Sequence, residues 1–237
     1  MEKVIYALWR EAGTAADDFN ERLRGDVARA LGEHAHWVRV NVQDAHVEDA
    51  TSSRFAATHP QMDAFVQLWV DTAFHEALQP IEQILRSFTP RFSGWLVCES
   101  TQIANHRHPP VPGQRTEGFS QMVCLGKPER LTWEAWRHQW QTFHTRVGID
   151  TQDNFEYVQN LVIRPVTYAA PPYAAFVEEC FPYEAQFDDA VFYGAVGDPE
   201  KLARHQQLMA DSCSHFIDFD KIDCIPTSQY QTKAFRS

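Results

Sequence analysis

His144, Tyr157, Gln159 and Asn160 are the side chains in this sequence best placed to do chemistry: an imidazole followed closely by a phenol and two amides, in an otherwise apolar and aromatic stretch. An unperturbed histidine titrates at about 6.5, so it can take a proton from one atom of a substrate and return it to another. A neighbouring phenol and amide can hold an oxygen in place. The chemistry indicated is general acid/base catalysis, with His144 shuttling the proton and Tyr157 and Gln159 orienting an oxygen. The plainer reading is packing, with His144 a rim histidine bonded to a carbonyl and Gln159 and Asn160 satisfying nearby backbone groups.

Two elements must position these groups. Thr132 can cap a helix, Glu134 places a negative charge in its first turn, and Gly148 stands where a helix commonly stops. Between them Trp133, Trp136, Trp140, Phe143 and Val147 recur at steps of three and four, which lines one helix face with aromatic rings. At 100° per residue His144 lies about 60° from the middle of that stripe and His138 roughly opposite it. Trp136, Trp140 and Phe143 would then wall a substrate space that His144 borders. Residues 155–163 read as a strand whose alternation sends Tyr157, Gln159 and Leu161 one way and Val158, Asn160 and Val162 the other. Asn160 is retained as a substrate-binding candidate, although only one of Gln159 and Asn160 can share His144's side.

Trp140-x-x-x-His144 followed by Tyr157-Val158-Gln159-Asn160 resembles the signature of the EthD family, small proteins of the dimeric α+β barrel superfamily, and the resemblance runs over roughly residues 119–230. It implies a ligand site in a cleft between helices and sheet or just inside a barrel mouth. Relatives in the wider superfamily hold haem with a histidine, a part His144 could play, although no cofactor is expected. The family takes its name from a component encoded with an ether-degrading oxygenase system, which leaves catalysis itself open.

The remaining chain supplies a scaffold. Residues 3–9 alternate as a strand, residues 15–31 carry Phe19, Leu23, Val27 and Ala30 at helical steps, and 37–42 and 65–70 read as strands. A helix over 74–88 follows, with Pro80 suggesting a start near Gln79, and then a strand over 92–103. After residues 105–118, which offer little to bury, the same order returns in 119–125, 132–147, 155–163, 173–181, 183–215 and 221–230. In the second long helix Asp198 and Pro199 stand as cap and first position.

The expected architecture is α+β: two tandem ferredoxin-like (βαββαβ) units, residues 1–104 and 119–237, joined by a linker at 105–118. Their antiparallel sheets would pack face to face as an intrachain barrel, as the resemblance implies. Val97-Cys98-Glu99-Ser100-Thr101-Gln102 beside Asp223-Cys224-Ile225-Pro226-Thr227-Ser228-Gln229 supports duplication. Aligning the first helices sets Leu23 near Trp140 and Val27 or Ala28 near His144. The first unit therefore lacks the imidazole and serves as scaffold, and the site belongs to the second.

Composition excludes several classes. With 44% apolar and 13% aromatic residues the chain can bury a sizeable core, and no apolar run is long enough for a membrane span. A formal charge of -11, with no Lys/Arg cluster, disfavours nucleic acid and anionic membranes as partners. Five scattered cysteines read as reduced packing residues in a cytoplasmic protein. His34 and His36 could share a face, but no third ligand is indicated and no metal is expected. His106 and His108 read as solvated, His205 as packed, and Asp211 and His215 as an outer-face pair. Nucleotide-binding and serine-hydrolase motifs are missing. The expected function is a cofactor-independent lyase, cyclase, dehydratase or isomerase acting on a hydrophobic, aromatic or polyketide-like small molecule. A non-catalytic carrier of a hydrophobic intermediate is the alternative, and homodimer formation stays open.

Overall fold

Strand β1 (Glu2–Trp9) faces two apolar environments at once. Val4, Tyr6 and Leu8 lie beneath helices, while Ile5, Ala7 and Trp9 enter a second core on the other side. This double burial recurs in most strands because the sheet closes into a barrel whose lumen is packed and whose outside is covered. The structure, a computed structural model, describes residues 1–47, 50 and 54–233.

The strands are β1, β2 (Trp37–Val42), β3 (Phe55–Ala56), β4 (Ala64–Val70), β5 (Arg91–Ile103), β6 (Phe119–Leu125), β7 (Glu156–Pro165), β8 (Ala175–Phe181) and β9 (Ile222–Lys233). They are hydrogen-bonded antiparallel in the order β2-β4-β1-β5-β7-β8-β6-β9, and β2 also pairs with β9 to close an eight-stranded barrel, with β3 appended to β9. The expected α+β barrel is present, but its two half-sheets are not merely face to face. They are joined at both edges, by β5–β7 and β2–β9, so no edge strand of the eight is left open.

Helices cover the outside. Residues 16–31 form one continuous helical stretch, as do 133–151, and each contains a π-helical segment: Leu23–Val27 in the first and Gln139–His144 in the second. Thr132 caps the second stretch by accepting from Ala135 N at 3.1 Å. Gly148 does not end it. The helix runs on to Thr151, and Gly148 lets the turn lie close to the Tyr157 ring, where an added Cβ would stand 3.7 Å from Cε1. Helix His75–Phe88 likewise begins earlier than Pro80 suggests, and the proline sits inside it, where its missing N–H withholds one helical bond from the carbonyl of the exposed Glu76. Helix Pro199–Phe216 starts on Asp198, whose side chain accepts from Lys201 N at 2.9 Å. No helix of the described residues is long and apolar enough to cross a membrane.

The lumen is divided. One part is apolar, built on Phe65, Trp95, Met122 and Phe176. The other is polar: Arg39 Nη1 reaches Glu156 Oε1 and Glu178 Oε2, each at 2.8 Å, while Asn41, Gln67 and Gln229 donate to Glu178. Burial disfavours the Arg39 charge, but Glu178 and Glu156 outweigh it and hold the guanidinium protonated. Burial likewise works against the Glu178 carboxylate, yet Arg39, Gln229 and Asn41 hold its pKa down at about 2. Residues 104–118 run over this polar part. Thr116 is buried and bonds Gln229, Gly113 N donates to the Gln231 carbonyl, and Asn105 reaches Glu156.

Candidate active site

The π-helical segment decides which side chains of helix 133–151 turn inward. A π-bulge adds one residue to a turn, so every later position moves back by about 100° relative to a uniform helix. Trp136 precedes the shift, Trp140 stands at its start, and both are fully buried. After it, His144 takes the direction a uniform helix assigns to Phe143. Phe143 is 53% exposed and turns its ring to His138 on the outer surface. Thr145 and Gly148 are buried in their turn. Phe143 therefore does not wall the site, and His144 stands in the stripe rather than beside it.

Beneath this helix the strands present a polar row. Gln121 on β6 is paired with Glu179 on β8, which is paired with Tyr157 on β7, and all three face the helices. The helix-facing rows of the first half are Val4/Leu68/Val38, Tyr6/Val66/Val40 and Leu8/Ala64/Val42, apolar but for one hydroxyl. Tyr6 fills the space there by lying against Gly94, where an added Cβ would come within 2.4 Å of its ring. In the second half the corresponding space is a cavity of about 290 Å³, at the small end of the range for ligand pockets, roughly 300–1,000 Å³. Gln121, Glu179, Tyr157, His144 and Trp140 line it, and Met209 and Phe216 of helix Pro199–Phe216 roof it.

Burial tunes these groups in opposite directions. His144 is pushed down to about 4 by loss of solvent, so its imidazole is neutral at pH 7. Its Nδ1 is 3.0 Å from Ser212 Oγ, and its ring lies 4.6 Å from that of Phe216. Glu179 is pushed up to about 7 by the same cause, with the Asn154 amide, which donates to Oε1 at 2.9 Å, working against the shift. Burial also raises Tyr157, which stays a phenol. Gln159 Nε2 donates to the Tyr157 oxygen at 2.9 Å and to Thr145 Oγ1 at 2.7 Å, fixing the phenol from behind.

Of the residues singled out in the sequence, His144, Tyr157 and Trp140 line the cavity. Gln159 lies on the same strand face but is covered, supporting Tyr157 rather than meeting the space. Trp136 stacks behind Trp140 at 5.1 Å and donates to the Phe216 carbonyl. Asn160 points into the lumen, away from His144, with both amide atoms buried and without a hydrogen-bond partner. Among the other histidines, His205 Nδ1 is tied to the carbonyls of Thr151 and Tyr193, and His36 faces Asp71 at 2.6 Å. Among the described residues no group of three His, Cys, Asp or Glu side chains is arranged to hold a metal. A cavity of about 290 Å³ suits a molecule of one or two rings and not a tetrapyrrole.

Sequence reasoning missed Glu179 and Gln121. A signal for Glu179 is present: Ala175-Phe176-Val177-Glu178-Glu179-Cys180-Phe181 sets two carboxylates side by side in an apolar strand, one on each buried face. Phe55 was missed as well. It reaches the cavity mouth from β3, where its ring meets that of Phe219 at 6.0 Å. Because this contact only shelters apolar surface, Phe55→Ala should weaken binding of an aromatic ligand by about 1–2 kcal/mol and leave kcat unchanged. Calorimetric titration and initial-rate kinetics check this.

A family model described as the EthD domain matches residues 128–220. No curated protein sequence matches the chain. Among solved structures, the chain is similar to a protein of Lactobacillus acidophilus NCFM named as a candidate monooxygenase, with 10% identity, TM-score 0.51, and 98% of this chain and 97% of that one covered. It is also similar to an anthrone oxidase-like protein, with 8% identity, TM-score 0.55, and 100% of this chain and 94% of that one covered. At these identities the likeness is one of fold.

Proposed function

We propose that this chain, which carries an EthD domain over residues 128–220, is a cofactor-independent enzyme that moves a proton on a hydrophobic, aromatic small molecule within the cavity beneath helix 133–151. The observation carrying this reading is the Gln121–Glu179–Tyr157 row set opposite His144 in a space whose other walls include Trp140, Met209 and Phe216. A carboxyl with a pKa of about 7 suits both taking and returning a proton near neutrality. Glu179 therefore carries the transfer, a refinement of the role that sequence alone assigns to His144. The Tyr157 phenol, held by Gln159, bonds the substrate oxygen, and the neutral His144 imidazole, held by Ser212, serves the second proton position. Elimination of water, ring closure and isomerisation are each reached by this relay.

The scaffold is read as a tandem pair of ferredoxin-like units, residues 1–104 and 119–237, joined by 105–118. The same strand order within each half, β2-β4-β1-β5 and β7-β8-β6-β9, supports this, as does a π-helical segment in the first helix of each.

The test is solvent deuterium exchange at the carbon next to the carbonyl of a bicyclic aryl ketone, followed by NMR. His144→Ala and Glu179→Gln should each lower the protein-dependent rate by about 10²-fold or more. Unchanged exchange in both variants removes the assignment, and no protein-dependent exchange in the wild type leaves a carrier, whose ligand affinity would depend on Trp140 instead. Oxygen uptake during turnover would point instead to oxidative chemistry, as the names of the two fold neighbours, a candidate monooxygenase and an anthrone oxidase-like protein, suggest.

A further inference from the structure

We infer that the cavity selects uncharged ligands, phenols and ketones, and rejects the carboxylates and other anions of the same ring systems; this deepens the proposed function and rests on it. The argument is one of charge placement. Among the described residues that line the cavity there is no lysine or arginine, whereas Glu179 lies on its floor and Asp189 at its rim. Gln121, Tyr157, Gln206 and the neutral His144 supply hydrogen bonds without positive charge. Arg54, next to Phe55 in sequence, is not among the lining residues. Its Nη1 donates to Gln61 Oε1 at 2.7 Å, and it lines a separate hollow with Asp17 and Asp63. Lys201, at the start of the roofing helix, is held by the Gly194 carbonyl at 2.6 Å.

An anion taken into this space would lose its hydration and meet a carboxylate with no cation to offset either cost. A phenol or ketone can accept from Tyr157, and a phenol can also donate to Glu179, while its rings lie against Trp140 and Phe216. The cavity volume adds a limit of its own, since with about 290 Å³ a bulky anionic carrier group attached to the rings would have to stay outside the mouth, beside Asp189. The reaction that supplies the substrate must therefore leave its rings without a free carboxylate.

The experiment is isothermal titration of the full chain with 2-naphthol and with 2-naphthoate at about pH 8, where the first is neutral and the second ionised. The expected result is that naphthol binds at least about tenfold more tightly than naphthoate. Glu179→Gln with Asp189→Asn should narrow that ratio toward unity by improving naphthoate binding, with naphthol binding little changed. Equal or tighter binding of naphthoate to the wild-type chain overturns the inference while leaving the proton-transfer reading to its own test, because no turnover is measured here. Binding of neither probe overturns the inference together with the cavity as a ligand site.

Discussion

Glu179→Gln is expected to cost most of the activity and yet make the protein more stable at about pH 8. The loss follows from removing the group that carries the proton, typically about 10²- to 10⁴-fold. The gain follows from the raised carboxyl. Its pKa is about 7 in the folded chain against an ordinary 4.5, so between those values the folded state holds a proton that the unfolded state has released. Stability then falls as pH rises through that window, and above it the full cost remains, about 1–3 kcal/mol for a half-buried group. His144 acts in the opposite sense. Its folded pKa of about 4 lies below the ordinary 6.5, so the unfolded state binds more protons between them and stability rises with pH over that range. In the wild type the two slopes oppose each other between about 4.5 and 6.5. Glutamine at 179 should therefore unmask a rise from about pH 4 to 6.5 followed by a plateau, readable from urea midpoints across pH. A variant curve parallel to the wild type would show that the carboxyl is not raised.

Arg39→Met should be the most damaging single change to the fold. Arg39 comes from β2 and bonds two carboxylates on β7 and β8 across the lumen, with all three side chains nearly inaccessible. Removing the cation leaves Glu156 and Glu178 buried together without their partner, a loss of about 3–5 kcal/mol. The combination Arg39→Met, Glu156→Gln and Glu178→Gln should recover much of that loss, since amides keep the bonds from Asn41, Gln67 and Gln229 without stranding a charge. Guanidinium unfolding of the single and triple variants decides the matter. A single variant within about 1 kcal/mol of the wild type would mean that the ion group is solvated rather than buried.

The resemblance that located the site rested on Trp140, His144 and the Tyr157–Asn160 run, and three of those side chains now divide into different surroundings. Tyr157 meets the cavity, Gln159 supports it, and Asn160 faces the lumen. Alternation along one strand fixed that division in advance, since it needs only the local backbone. The helix was less legible, because a uniform period sets Phe143 inward and only the π segment hands that direction to His144. No residue between Gln139 and His144 announces such a segment by type.

Element order, the two helix caps at Thr132 and Asp198, and the apolar faces of the strands were decided by sequence alone, because capping, alternation and helical spacing act over a few residues. The edges at which the half-sheets join, the lumen ion group and the Gln121–Glu179–Tyr157 row were decided only by tertiary structure. Each depends on register between strands far apart in the chain. Burial, which moves Glu179 toward neutrality and His144 away from it, exists only once those strands and their covering helices have met.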